Sequence, residues 1–488
     1  MKPRDVLGFI YAIFIILLLL TFLFPDKGVR IGNQTIKFAK WDDITSLPCK
    51  SVIDSTIKQQ MLIASKLEKQ ATQSDSIFEK TEKDSVSITE KNDTIENEIK
   101  EEELKKNLYP IQFPDEKSRK LFWSFFNKAR YHGHKTIRIL YYGDSQIEGD
   151  RITSYLRFRL QKMFGGYGPG LIPPVNFVPF FSIKQSHDAS WQRFSVMNIG
   201  KDSLSHKKYG ILASLSKFLP TENNEHTLTF EVAKRSYSNT HHWDKFTLFY
   251  GNYSGNAVIQ LFANNKLIDF ASLKSGELNV YSTILPKRTH KLDIKIKGED
   301  SPDFYAVSFD AHKGGIAVDN IAIRGCSGIF FTKINTQHYK TFFKHIHVGL
   351  IVLEFGGNVL PYLNDERKCE RYTHYFETQL KFFRKNFPKV PILVIGPADM
   401  STKIEGEMQT YPLLEKVVEG LKQAAFNQGY GFWNMYDAMG GKNSMVAWVD
   451  AGLASTDYTH FTSKGALIIA NMLTNAILEE YKFYKHKK

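Results

Sequence analysis

Arg138-Ile-Leu-Tyr-Tyr-Gly-Asp-Ser-Gln-Ile-Glu-Gly-Asp150 is the stretch on which the fold turns. Thr136 to Tyr142 is apolar and aromatic between polar residues, the pattern of a strand buried in a parallel sheet. Gly143-Asp144-Ser145 then turns the chain sharply. Arg151 to Phe164 carries Ile152, Tyr155, Leu156, Leu160 and Met163 at helical spacing. Ser145 is therefore expected at the carboxyl end of a strand and the start of a helix, where α/β sheets place their chemistry. A helix N-terminus there offers free N–H groups to a developing oxyanion. Alone, a Gly-Asp-Ser tripeptide is an ordinary turn, so the assignment needs partners.

Upstream, Asp115 is placed to cap a helix running to about Tyr131, with Leu121, Phe122, Phe125 and Phe126 on its buried side. Downstream, Gly165-Gly-Tyr-Gly-Pro-Gly170 lacks the Gly-Lys-Ser/Thr of a phosphate cradle and reads as a loop near the site. From Val175 to about Val318 the pattern changes to short alternating runs such as His226–Val232, Lys245–Tyr250, Ala257–Phe262 and His290–Ile296. These are separated by Asn, Gly, Asp and Lys turns and predict a β-sandwich. Phe304–Phe309 and Gly314–Ile323 are read as the return to the α/β unit, which makes the sandwich an insertion between the first and second strands of the main sheet. His241 and His242 lie inside it; adjacent histidines point apart, a poor arrangement for a metal.

The α/β alternation then resumes. Helices are expected over 336–346, 366–387, 411–428 and 463–481, and strands over 348–355, 391–395 and 431–436. Strands alternating with helices imply a parallel, three-layer sheet.

At 488 residues the chain exceeds one ordinary domain. Its 64 basic and 51 acidic residues give a net charge of +13, spread without an arginine-rich block. That distribution argues against nucleic acid and suits attraction to anionic polymers or membrane surfaces. Cys49, Cys326 and Cys369 have no metal-binding spacing and read as isolated thiols. Val6 to Phe24 is free of charge, long enough to cross a hydrocarbon core, and lacks a small-residue cleavage site after it. It is read as a retained signal anchor that leaves the rest of the chain outside the cytoplasm, in the periplasm for a two-membrane cell. Residues 68–107 are rich in Glu, Lys, Asp, Ser and Thr and cannot bury enough apolar surface to offset chain entropy. As a coil they span roughly 35 Å on average. The expected organisation is an anchor (1–30), an unassigned juxtamembrane segment (31–67), a charged tether (68–107), a first catalytic part (108–174), the inserted sandwich (175–317) and a second catalytic part (318–488).

Four strand-end features converge on one chemistry. A serine hydroxyl needs a base to become a nucleophile. His460, in Asp457-Tyr-Thr-His460, supplies one, and Asp457 three residues earlier can orient the imidazole. Gly325 closes Ile321-Ala-Ile-Arg-Gly325 and can aim a backbone N–H at an oxyanion; the Asn358 amide, at the next strand end, can add a second donor.

In that order, Gly-Asp-Ser145, Gly325, Asn358 and Asp457-x-x-His460 resemble the blocks of the SGNH (GDSL) hydrolase family. The stretch Gly143–Pro173, the insertion, Val318–Gly325 and Ala438–Met445 are similar to the SGNH peptidoglycan O-acetylesterases that carry an inserted carbohydrate-binding-like β-domain. Val359 departs from the acidic residue that often follows the family's asparagine. The resemblance implies a three-layer α/β/α fold and a carboxylic ester hydrolase without cofactor or metal. It also implies a Ser145–His460–Asp457 triad with an oxyanion hole from the Ser145 and Gly325 N–H groups and the Asn358 amide. The partner expected is an O-acetylated glycan such as peptidoglycan. Two alternatives remain: an O-acetyltransferase working with a membrane-bound acyl-carrying partner, and a silent glycan-binding module.

Overall fold

The computed structural model describes residues 29–31, 34–36, 65, 109–197 and 204–487. The apolar stretch Val6–Phe24 of the expected anchor, the tether, and Cys49 lie outside the described residues. In the amino-terminal unit Val29–Ile31 pairs antiparallel with Gln34–Ile36. Among the described residues no helix is long and apolar enough to cross a membrane.

Five strands make the main sheet: β1 (Thr136–Gly143), β2 (Gly315–Ala322), β3 (His347–Glu354), β4 (Ile392–Ile395) and β5 (Gly431–Trp433). All neighbours are parallel, in the order β2-β1-β3-β4-β5. Both faces are covered, which is why these strands read as continuous apolar runs. One face of Leu140, Tyr142, Ile351, Leu353 and Val394 packs on α3 (Thr336–His345), α4 (Glu366–Asn386) and α5 (Leu414–Asn427). The other is covered by α1 (Glu116–Arg130), α2 (Thr153–Phe164) and α8 (Ser463–His486), joined through Phe125, Phe126, Phe164 and Tyr481. Asp115 caps α1 as expected, accepting the Ser118 N–H at 2.7 Å. Short helices α6 (Met435–Met439) and α7 (Ser444–Asp450) fill the gap before α8.

Between β1 and β2 in sequence lie two antiparallel sheets. One orders Lys266–Ser272, Val258–Ala263, Lys291–Lys297, Glu225–Val232 and Ile183–His187; the other orders Asn279–Ile284, Lys245–Gly251, Asp303–Asp310, Ser214–Phe218 and Trp191–Ser195. Leu228, Phe230 and Ile294 of the first share one apolar core with Phe246, Leu248 and Phe309 of the second, so the pair is a sandwich.

Three expectations are corrected here. Phe304–Phe309 does not return to the parallel sheet; it is a central strand of the sandwich, paired with Lys245–Gly251 and Gly170–Ile172. Phe304, Val307 and Phe309 face the sandwich core while Tyr305 and Ala306 join the core of the parallel sheet. A strand buried on both faces loses its alternation and reads like a parallel one. The return is β2 alone, which begins at Gly315 and so runs across the expected 317/318 division. The glycine-rich turn, expected near the site, packs instead on the opening of β2: a Cβ at Gly166 would meet the Ile316 backbone at 2.7 Å. That is the amino end of the strand, opposite Ser145. Finally, the segment after Trp433 is not extended, because Asn434 caps α6.

Two buried arginines fasten the sandwich to the sheet. Arg138 of β1 donates to Asp319 of β2 at 2.9 Å and to Ser308 and Asp310 of the sandwich at 2.8 and 2.5 Å. Arg157 of α2 makes a two-pronged contact with Asp150 at 2.6 and 2.9 Å and donates to Ser182 at 2.8 Å.

Candidate active site

In a sheet ordered β2-β1-β3-β4-β5 the chain leaves β1 and β3 in opposite directions, which opens a crevice between their carboxyl ends. Ser145 follows β1 and Asn358 follows β3. The crevice is lined by Asp144, Ser145, Glu354, Asn358, Met400 and His460, among others, and holds about 50 Å³. That is room for a few heavy atoms.

Ser145 Oγ lies 2.8 Å from His460 Nε2, and His460 Nδ1 lies 2.8 Å from Asp457 Oδ2. Residues 315 positions apart thus meet at hydrogen-bond distance. With a proton on Nδ1 held by Asp457, Nε2 is the acceptor for the serine hydroxyl. Asp457 Oδ1 accepts the N–H groups of Thr459 and His460 at 2.9 and 3.0 Å. Burial alone would raise the Asp457 carboxyl, but these bonds and the imidazole outweigh it and hold it below its ordinary value. Tyr458, between the two, has φ of 53°, the left-handed region that a bulky residue seldom adopts. Its carbonyl is tied to the Ser401 N–H at 3.1 Å, and Thr462 caps α8 two residues after His460. The histidine loop is thereby held at both ends.

Ser145 does not start α2. It opens a short 3₁₀ segment, Ser145–Asp150, broken at Glu148 and Gly149, and α2 begins only at Thr153. The expected helix dipole is therefore absent; the turn is shaped instead by Asp144, whose Oδ1 accepts the Gln146 N–H at 3.0 Å.

Asn358 stands at the crevice, but its amide donates to Asp144 Oδ2 at 2.8 Å and to the Cys326 carbonyl at 3.2 Å. Both of its hydrogens are engaged. Gly325 has φ of 72° and open space where a Cβ would stand, and its turn reaches Asn358 through Cys326. Gly325 is not among the residues lining the 50 Å³ crevice.

Four residues that sequence reading passed over complete the site. Arg151 donates to the carbonyls of Ser145, Glu148 and Phe461, and Gln146 donates to the Thr459 carbonyl, so two side chains clip the serine loop to the histidine loop. Beneath them Glu354 is buried, accepts the Tyr141 hydroxyl at 2.5 Å and leaves its second oxygen without a partner. Burial pushes Glu354 up to about 8 and Asp144 up to about 6. Asp144 and Gln146 carry a sequence signal, their places on either side of Ser145; Arg151 and Glu354 are recognised by contacts more than 200 residues away.

No family model and no curated protein matches the sequence. Among solved structures, one described as a peptidoglycan O-acetylesterase in action superposes with a TM-score of 0.60 at 22% identity, covering 76% of this chain and 98% of that one. The chain shares the fold of that structure. A family two carbohydrate esterase from Clostridium thermocellum (TM-score 0.24, 11% identity, 55% and 95% covered) and a putative GDSL-like lipase from Parabacteroides merdae (0.26, 16%, 33% and 73%) are too distant in shape to argue from. Within this fold, the four sequence blocks fall at the carboxyl ends of β1, β2 and β3 and just before α8.

Proposed function

We propose that the protein is a serine esterase that removes O-acetyl groups from a cell-wall glycan, peptidoglycan first among them. The observation that carries this is the continuous Ser145–His460–Asp457 chain of hydrogen bonds, 2.8 Å at each step, opening on a crevice of about 50 Å³. Such a crevice suits an acetyl group and is short for a long acyl chain. The likeness in fold to a peptidoglycan O-acetylesterase supports the same substrate.

In the reaction Ser145 Oγ attacks the acetyl carbonyl as His460 Nε2 takes the hydroxyl proton and Asp457 stabilises the imidazolium. The oxyanion is received by the Ser145 and Gly325 N–H groups and by the Asn358 amide, which gives up a present partner as charge develops. His460 returns the proton to the departing sugar oxygen. Water then attacks the acetyl-serine with His460 as base, releasing acetate.

Val6–Phe24 anchors the chain in the cytoplasmic membrane with the enzyme outside, and the charged 68–107 tether lets it reach wall material. The same reach is of less use to a transferase fed from within the membrane.

The test is acetate release by the purified full chain from O-acetylated wall material, with no added acceptor. Release is expected, and Ser145→Ala should lower kcat by a factor on the order of 10⁵–10⁶. Unchanged turnover in that variant ends the esterase assignment. Acetyl transfer from an activated donor to glycan without hydrolysis would replace it by a transferase.

A further inference from the structure

Beside the triad lies a second, larger cavity of about 760 Å³, where the serine turn, the entry to the sandwich and the start of α8 meet. Arg151, Phe181, Arg235, Tyr237 and Ser463 are in its wall. The cavity adjoins the catalytic groups, because Arg151 also donates to the Ser145 carbonyl and Ser463 follows His460 by three residues.

The charge in this wall is unbalanced. Arg151 spends its hydrogen bonds on three main-chain carbonyls and pairs with no carboxylate among the described residues. Glu148, the carboxylate in the same wall, is taken by Arg324, which it meets at 3.0 and 3.1 Å through Nε. Arg235 is exposed, and no hydrogen bond or ion pair to it exists among the described residues. The wall thus holds two guanidinium groups against one carboxylate, Glu148, which is already paired with Arg324, and Arg235 has no ion-pair partner among the described residues; that excess of positive charge favours a carboxylate over a neutral ligand.

The aromatic side of the wall is already ordered. Tyr237 stacks on Phe158 with centroids 4.9 Å apart, and Phe181 meets Tyr237 edge-on at 5.7 Å. Phe181 keeps 40% of its surface exposed. A braced aromatic face beside polar donors is how sites grip a ring with one apolar face and polar edges.

We infer that this cavity is a subsite for an anionic glycan: Phe181 carries a sugar ring adjoining the acetylated one, and Arg235 with Arg151 receives a carboxylate of that glycan. This rests on the esterase assignment of the neighbouring triad. The carboxylate has two sources in wall material, an acid borne by the sugar itself or one on an attached peptide.

The full chain is assayed for acetate release on three substrates: intact O-acetylated wall glycan, the same glycan stripped of peptide by an amidase, and a neutral O-acetylated chito-oligosaccharide. The wild type should favour the anionic glycan in kcat/KM, and the preference should shrink as salt rises. Arg235→Ala should raise KM for the anionic glycan ~10-fold with kcat within about twofold, and Arg235→Lys should recover part of the loss. The amidase frees the sugar-borne acid from its amide, so a preference that rises on stripped glycan assigns the site to the sugar's carboxylate, and one that falls assigns it to the peptide's. A wild type without preference, or an equal loss on the neutral substrate, overturns the subsite. Calorimetric binding of the same glycans to Ser145→Ala, with and without Arg235→Ala, reads the subsite without turnover. Absence of hydrolysis on all three substrates strikes the esterase assignment instead.

Discussion

Arg157 and Glu354 are both buried ionisable side chains close in the fold to one serine, yet their surroundings are opposite. Arg157 meets Asp150 with two parallel bonds, and its remaining donors reach Ser182 and the Val318 carbonyl. Glu354 meets a phenol, has one oxygen with no partner, and faces a second buried acid, Asp144. No Lys or Arg pairs with Glu354 or Asp144 among the described residues. The contrast separates fastening from function. Where a buried charge is matched, it ties the sandwich to the sheet. Behind Ser145 the acids are unmatched, so burial moves their proton affinity toward neutral pH, a condition that clusters at active sites.

The largest effect is expected at the fastening network. Arg157→Met leaves Asp150 buried without its partner and should cost about 3–5 kcal/mol of stability, read as a lower denaturant midpoint. The double variant Arg157→Met with Asp150→Asn should recover much of it. A single-variant loss below about 1 kcal/mol would mean that water already reaches this network, and the contrast with Glu354 would collapse.

Next comes Asn358, which links the two halves of the comparison by bonding Asp144 from the crevice wall. Asn358→Ala should lower kcat by on the order of 10²–10³ with little change in KM. If melting temperature falls and kcat holds, the amide serves Asp144 and the turn, and the oxyanion relies on the backbone donors.

The smallest effect is a pH dependence. Glu354 in the folded chain titrates at about 8, above its ordinary 4.5, because burial disfavours the carboxylate. A folded value raised above the unfolded one means stability present at low pH and lost as pH rises through about 8. From pH 6 to pH 8 the protein should lose about 2 kcal/mol from this group, and Glu354→Gln should lose less across the same window. Denaturant unfolding at the two pH values measures both. Equal slopes in the variant and the wild type would show that Glu354 is paired in a way that the Arg157 comparison denies it.

How much of this was legible in sequence depended on range. Thr136–Tyr142 announced a buried strand because a parallel sheet asks for an unbroken apolar run, and the helices carried their own caps, as Asp115 and Thr462 show. The four sequence blocks could be found because glycine, serine, asparagine and histidine at element ends are local choices. Apolar spacing places the start of α2 two residues early, because it does not register the tight 3₁₀ turn that Asp144 and Asp150 shape. Phe304–Phe309 reads as a strand of the parallel sheet although it belongs to the sandwich, because its two faces answer to two different cores.

By itself, the sequence determined the main strands and the longer helices, that a sandwich interrupts the sheet after β1, and which residue types stand ready at strand ends. Only the tertiary structure decided that His460 and Ser145 meet at 2.8 Å, that Arg151 and Gln146 clip their loops together, and that the Asn358 amide faces Asp144. The reason is physical. Periodicity and capping are energies of neighbours along the chain, whereas the approach of groups some 315 residues apart follows from packing the whole sheet.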